Sequence, residues 1–298
     1  HGTVLRWRLS LGALLIPALA WLFWLDMGVV AKPGSILFPL SVLVTLLASG
    51  EFIRLTTFSD LRPRPVVVYC GSLLIVLASG IPSLYLNPPL DCPLSYLGIA
   101  LMAYIVSCIL AVVAEIIFYK QDPNVIPSLA LSVLGVFYIG MLIGVITLLR
   151  FVSDDQWKSL PLISLILTVK MGDIGAYTVG RLVGKHRFAP QLSPGKTMEG
   201  VLGGLLFSVG AAFFAFRVLP DWIHIQPPLF SWWQIVAYGI LVGSAGVLGD
   251  LAESLIKRNA GQKDSSGWLI GFGGVLDLID SLLLAGPISY IFWLLALK

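Results

Sequence analysis

The chain has 298 residues, of which 57% are hydrophobic and only 12% charged, with a formal net charge of +3. A soluble domain carries about 25% charged residues, so half that fraction over the whole length makes lipid the expected solvent. No long charge run points to nucleic acid, and Cys70, Cys92 and Cys108 lack the close spacing of a zinc site or a disulfide framework.

A bilayer core of about 30 Å needs roughly 20 apolar residues as a helix. Nine segments meet or approach that length, near 9–25, 34–50, 65–82, 94–118, 127–149, 160–182, 199–219, 232–256 and 275–297. Lipid cannot satisfy exposed backbone groups, so the expected fold is all-α, a polytopic integral membrane protein of about nine transmembrane helices. Trp21, Trp24, Trp222, Trp232 and Trp233 fit an interfacial belt.

The loops set an orientation. With nine spans, Arg6, Arg8, Arg54, Arg62, Arg64, Lys120, Lys185, Arg187, Lys196, Lys257, Arg258 and Lys263 fall on one side. The other side holds only Lys32, Arg150, Lys158 and Lys298. The positive-inside rule then predicts a cytoplasmic N-terminus. Residues 1–150 read as a scaffold of about five helices, in which Glu51 and Glu115 are expected to be interfacial carboxylates at helix ends. Residues 151–298, with about four helices and charged cytoplasmic loops, read as the catalytic region.

The sixth span is interrupted by Lys170 and Asp173. Asp173, Tyr177 and Arg181 are spaced four apart and share one helix face. An ionisable group at membrane depth is expensive and is a functional hypothesis by default. The loop that follows reads SPGKTMEG directly before the seventh span. Ser193 and Thr197 suit a helix cap, Glu199 a first turn, and Lys196 a phosphate held at a helix N-terminus. His186 and His224 read as surface residues.

The eighth span ends GVLGDLAESLIKRN, placing Asp250, Glu253 and Lys257 on one face. Lys263 and Asp264 follow, then the turn IGFGG, and the ninth span opens VLDLID with Asp277 and Asp280 three apart. Pro287 is expected to kink or break that last helix. Carboxylates in such a cluster suit Mg²⁺, which takes one or two of them together with substrate phosphates. The alternative is a structural network in which these acids pair with Lys257, Arg258 and Lys263. The small residues of GVLGGLLFSVGAA permit close helix packing within or between chains.

The stretch from Ser254 to Asp280 resembles the C-terminal motif of the phosphatidate cytidylyltransferases, the CDP-diacylglycerol synthases, through Lys257, Arg258, Lys263, Asp264, Gly271, Gly273, Gly274, Asp277 and Asp280. The segments from Asp173 to Lys185, from Ser193 to Gly200 and from Gly249 to Ser254 are similar to the same family, in the same order. Phe272 stands where the family usually shows His, and Leu278 where it usually shows Arg or Asp. The resemblance implies transfer of the cytidylyl group of CTP to phosphatidic acid, releasing pyrophosphate, with Mg²⁺ and room for a second cation. It implies a bacterial-type cytoplasmic membrane, an active site facing the cytoplasm, and a homodimer.

On that basis Asp250, Asp277 and Asp280 are the expected metal ligands. Lys257, Arg258 and Lys263 would neutralise phosphates, and Asp264 would orient Lys263 or join the metal. Ser193, Lys196 and Thr197 would grip the nucleotide, with Lys185, Glu199, Glu253 and Ser254 also in the substrate site. Asp173, Tyr177 and Arg181 would shape the polar cleft for the lipid head group. Two other readings compete. One is a CTP-dependent lipid-alcohol kinase. The other is a transporter with Asp173, Asp277 and Asp280 as a carboxylate relay.

Overall fold

The computed structural model describes residues 17–29, 33–57, 62–85, 95–119, 124–152, 157, 159–226, 228–262, 265–266 and 273–296. Among them, eight helices are long and apolar enough to cross a membrane. They coincide with the last eight of the nine expected spans. Residues 9–16 of the first expected span, along with Lys263, Asp264 and Phe272, lie outside the described residues. The chain is an all-α, polytopic integral membrane protein. It divides into two compact units, His1–Leu148 with Asn259–Ile279 and Leu149–Arg258 with Asp280–Lys298.

In the first unit, α1 (Leu37–Thr56), α2 (Pro65–Tyr85), α3 (Ser95–Ile117) and α4 (Val125–Phe151) follow one another. Helix α2 is central and packs against the other three. Its approach to α4 is close because Gly140 has no side chain; a Cβ there would stand 2.6 Å from the Cα of Ser72. Helix α4 takes one π turn at Val136–Met141. Phe52, Leu55, Ile75, Ile139 and Leu148 are fully buried in this core. The buried carboxylate of Asp26 accepts the backbone N–H groups of Gly34, Ile36 and Leu37 at 3.0–3.1 Å. That satisfies donors a helix start leaves without an intrahelical acceptor.

The second unit contains α5 (Leu160–Val183), a short antiparallel hairpin of β1 (Arg187–Ala189) and β2 (Ser193–Thr197), α6 (Met198–Trp222) and α7 (Trp232–Asn259). The last helix, α8 (Val275–Leu295), begins in the first unit and continues in the second. It continues through Pro287, so of the expected kink or break the break does not occur. One missing N–H in the interior of a long membrane helix can be accommodated where neighbouring helices pack against it.

Helices α5 and α6 form the most extensively packed pair. The small residues anticipated for close packing lie in this seam, within the chain. A Cβ on Gly204 would meet the carbonyl oxygen of Gly172 at 2.9 Å, and Ser208 donates its hydroxyl to the carbonyl of Thr168 at 3.0 Å. Away from the hairpin, Tyr238 is fully buried with its hydroxyl 2.9 Å from both Ser164 and Ser289, among the rings of Phe216, Phe292 and Trp293. Trp21, Trp24, Trp222, Trp232 and Trp233 are all exposed at the protein surface.

Candidate active site

The second unit holds a cleft of about 500 Å³. Its wall includes Asp173, Tyr177 and Arg181 from α5, Lys196 and Thr197 from β2, and Asp250 from α7. The four-residue spacing on α5 therefore does what the sequence suggested and turns all three side chains into one space. Arg181 donates Nη1–H to the hydroxyl of Tyr177 at 2.8 Å. The volume is in the range of small-molecule sites.

Acids and bases meet in this cleft. Lys196 Nζ stands 2.7 Å from Asp250 Oδ2, and both side chains are partly exposed. Ser254, one turn after Asp250, reaches its Oδ1 with a long hydroxyl contact of 3.4 Å. Lys170 Nζ is 3.3 Å from Asp173 Oδ2 and 3.1 Å from the hydroxyl oxygen of Ser281. Ser281 in turn donates to Asp173 Oδ2 at 3.1 Å. Asp280, the preceding residue, is buried and lies close enough to Asp250, Lys170 and Asp173 for their charges to act on it. Gly249 explains how α7 and α8 come together here, because any Cβ on it would collide with the backbone carbonyl of Asp280.

The hairpin that delivers Lys196 is held at its base. Thr197 is the N-cap of α6 and accepts the N–H of Gly200 at 3.1 Å. Glu199 accepts the backbone N–H of Lys185 at 3.0 Å and that of His186 at 3.2–3.3 Å, and lies 2.6 Å from His186 Nδ1. These contacts give Glu199 an anchoring task in the turn between α5 and β1. Lys185 and Ser193 are not among the residues that line the cleft. Arg258 donates Nε–H to the carbonyl of Leu192 at 3.2 Å and ties α7 to the hairpin tip. Glu253 is fully buried and its carboxylate sits 2.6 Å from Lys257 Nζ, one turn along α7. That pair belongs to the structural network weighed as the alternative for these charges.

The other part of the motif is built in the first unit. Asp277 Oδ2 accepts the N–H of Gly274 at 2.8 Å and the N–H of Ser265 at 3.0 Å, with the Ser265 hydroxyl at 2.5 Å. The contact to Gly274 is the reach-back of a capping box, three residues into α8. Gly273 has φ +85°, and a Cβ on it would collide with Asp277. Of the three expected metal ligands, then, Asp250 and Asp280 lie in the second unit, while Asp277 caps a helix in the first.

Two residues carry more than their sequence context suggested. Glu51 and Glu115, read from sequence as interfacial carboxylates near helix ends, are both buried within the protein. Glu115 forms a two-pronged ion pair with Arg64, at 2.6 Å to both Nε and Nη2, and this pairing holds the Arg64 guanidinium above its ordinary pKa. Glu51 accepts hydrogen bonds from Ser265, Ser266 and the start of α8. The signal for both was their position inside apolar runs, where a lone acid requires a partner. Ser281 carried no such signal, since a serine in an apolar helix is unremarkable by composition.

The family model described as the Cytidylyltransferase family matches residues 8–296. The phosphatidate cytidylyltransferase of Staphylococcus saprophyticus is 30% identical over 260 residues, covering 87% of this chain and 90% of that protein. That of Chlamydia muridarum is 37% identical over 179 residues, 58% of this chain and 56% of its own length. The Haemophilus influenzae protein of the same name is 36% identical over 184 residues, 60% of this chain and 61% of its own length. Against these last two relatives the alignment thus spans less than two thirds of the curated protein.

Proposed function

The chain belongs to the cytidylyltransferase family, and we propose that it transfers the cytidylyl group of CTP to phosphatidic acid, giving CDP-diacylglycerol and pyrophosphate. One observation carries the reading: Asp173 and Asp250 share a single cleft with Lys196 and Arg181, built partly from membrane helices. A site for a cation and a polyphosphate needs both signs of charge within one small volume, and a site for a lipid phosphate needs that volume beside the bilayer. The positive loops favour a cytoplasmic opening, where CTP is available. A homodimer remains part of this proposal through the family alone.

In the reaction, a phosphate oxygen of phosphatidic acid attacks the α-phosphorus of CTP. The bond from that phosphorus to the bridging oxygen breaks, and pyrophosphate departs with the electron pair. Such transfer depends chiefly on positioning and on stabilising charge. Lys196 and Arg181 would pair with phosphate oxygens and with the leaving pyrophosphate. Tyr177 would hold the Arg181 guanidinium against the cleft wall, and Thr197 would keep Lys196 at the helix start. Lys170 and Ser281 would fix the Asp173 carboxylate.

The donor set of the second unit suits Mg²⁺, since Asp250 and Asp280 offer hard oxygen ligands. Among the described residues no three His, Cys, Asp or Glu side chains gather to enclose a cation. A cation held by Asp250 and Asp280 would therefore complete its shell with substrate and water oxygens. Bound there, it would supply charge neutralisation at the triphosphate.

The decisive assay combines purified protein, CTP labelled in the α-phosphate, phosphatidic acid vesicles and Mg²⁺. Label is expected in CDP-diacylglycerol, with one pyrophosphate released per turnover. Release of CDP together with a phosphorylated lipid alcohol would replace this reading by the kinase.

A further inference from the structure

We infer that Glu51, on the first described membrane helix, is a positioning residue for the segment that carries Asp277 and Asp280. The inference rests on the cytidylyl-transfer reading for its consequence, and on the first unit alone for its geometry. Glu51 is 6% exposed, inside an apolar helix, where an uncompensated carboxylate is costly. Its oxygens accept hydrogen bonds from four groups of the C-terminal motif. Oε1 takes the Ser266 hydroxyl at 2.9 Å and the N–H of Val275 at 3.0 Å. Oε2 takes the Ser265 hydroxyl at 3.1 Å and the N–H of Leu276 at 2.8 Å.

These donors are not interchangeable with an ordinary core contact. Val275 and Leu276 are the first two residues of α8, whose N–H groups have no intrahelical acceptor and whose end carries positive partial charge. Ser265 and Ser266 follow directly on Lys263 and Asp264 in the chain. Glu51 thus holds Ser265 and Ser266 together with the start of α8. Gly274 leaves room for this, because a Cβ there would collide with both carboxylate oxygens and with the Ser265 hydroxyl. Arg54, three residues on along the same helix, donates Nη2–H to the carbonyl of Ser265 at 3.4 Å.

The link continues to Asp277. The Ser265 hydroxyl stands between Glu51 Oε2 and Asp277 Oδ2, with a single proton to offer either carboxylate. Each oxygen of Glu51 takes one backbone N–H of the start of α8, so both atoms at that place must accept. Whichever way a glutamine turned, its NH₂ would face the backbone N–H of Val275 or of Leu276, and an N–H has no lone pair to accept it.

The test uses the full chain in proteoliposomes, with wild type, E51Q and E51D. E51Q is expected to lower cytidylyl transfer roughly 10–100-fold, the range seen when a support behind a ligating group is lost. E51D keeps an acceptor and is expected to recover most of that loss. Hydrogen–deuterium exchange without substrate reads the geometry separately. Amides of 265–280 are expected to exchange faster in E51Q, while those of 160–183 stay at the wild-type rate. E51Q turnover within twofold of wild type overturns the inference, as does an unchanged exchange pattern across 265–280. If the wild type itself makes no CDP-lipid, the functional reading falls, and the exchange pattern alone decides the role of Glu51.

Should E51Q fail to insert, S265A carries the test, because it leaves the carboxylate on the helix amides and removes the hydroxyl between the two acids. Faster exchange and reduced transfer are expected, with no further loss when S265A is added to D277N. Losses that add would show that Ser265 acts elsewhere and would overturn the link to Asp277.

Discussion

Lys196 and Asp250 face each other across 2.7 Å at the cleft wall, one from the hairpin and one from α7. Both are partly exposed, and such pairs contribute only about 0–1 kcal/mol to stability. Their value is therefore in what separates them, a phosphate drawn to one and a cation to the other. K196A is expected to raise KM for CTP about tenfold or more, and D250N to lower kcat by roughly a hundredfold. Melting temperatures of both variants should stay within about 3 °C of wild type. Steady-state kinetics with a thermal melt in the same detergent checks all three.

Ser281 joins Lys170 and Asp173 through its hydroxyl. Removing it leaves the Asp173 carboxylate with one fewer donor, at a cost of about 1 kcal/mol for a single hydrogen bond. S281A is expected to lower turnover about three- to tenfold, and D173N to lower it further. Adding S281A to D173N should have less effect than S281A alone, because the hydroxyl acts on that carboxylate. Turnover of the four proteins at saturating substrate closes the cycle.

Glu199 anchors the turn that begins the hairpin, through two backbone N–H groups and His186. E199A is expected to raise KM for CTP several-fold, by loosening the strand that delivers Lys196, with kcat changed by less than about threefold. E199Q keeps one acceptor oxygen and should lie between. A direct substrate contact would instead make both variants fall together with K196A in a binding assay.

Glu115 provides the contrast to Glu51. It too is a buried acid of the first unit, but among the described residues its hydrogen-bond partners are Arg64 and, at 3.5 Å, Ser128. E115Q leaves a guanidinium without its counter-charge and is expected to destabilise by roughly 1–4 kcal/mol. Transfer per folded molecule should be unchanged. A lowered melting temperature with wild-type kcat is the outcome to look for.

Much of this was legible in the sequence because membrane helices obey simple rules. Hydrophobic length located eight helices, and the four-residue spacing of Asp173, Tyr177 and Arg181 placed them on one face. The glycine pairs became intelligible once a Cβ was imagined at Gly249 or Gly274. What sequence could not supply was long-range partnership. Nothing near Glu51 indicates that its donors lie 214–225 residues later. Nothing near Asp277 says that its oxygen would cap its own helix while Asp280, one turn on, sits in the other unit's cluster. Local spacing grouped Asp277 with Asp280; the backbone N–H groups at the start of α8 separated their tasks.

The attachment of Glu51 to the start of α8 also bears on how the protein is made. Residue 51 enters the membrane early in synthesis, whereas Val275 and Leu276 emerge 224 and 225 residues later. Until then the first unit lacks those four donors, and its buried Glu51 has no helix end to close upon. The molecule therefore completes an early membrane helix with one made much later. A nascent chain released before α8 should remain protease-sensitive around residue 51 even with its first four described membrane helices already inserted.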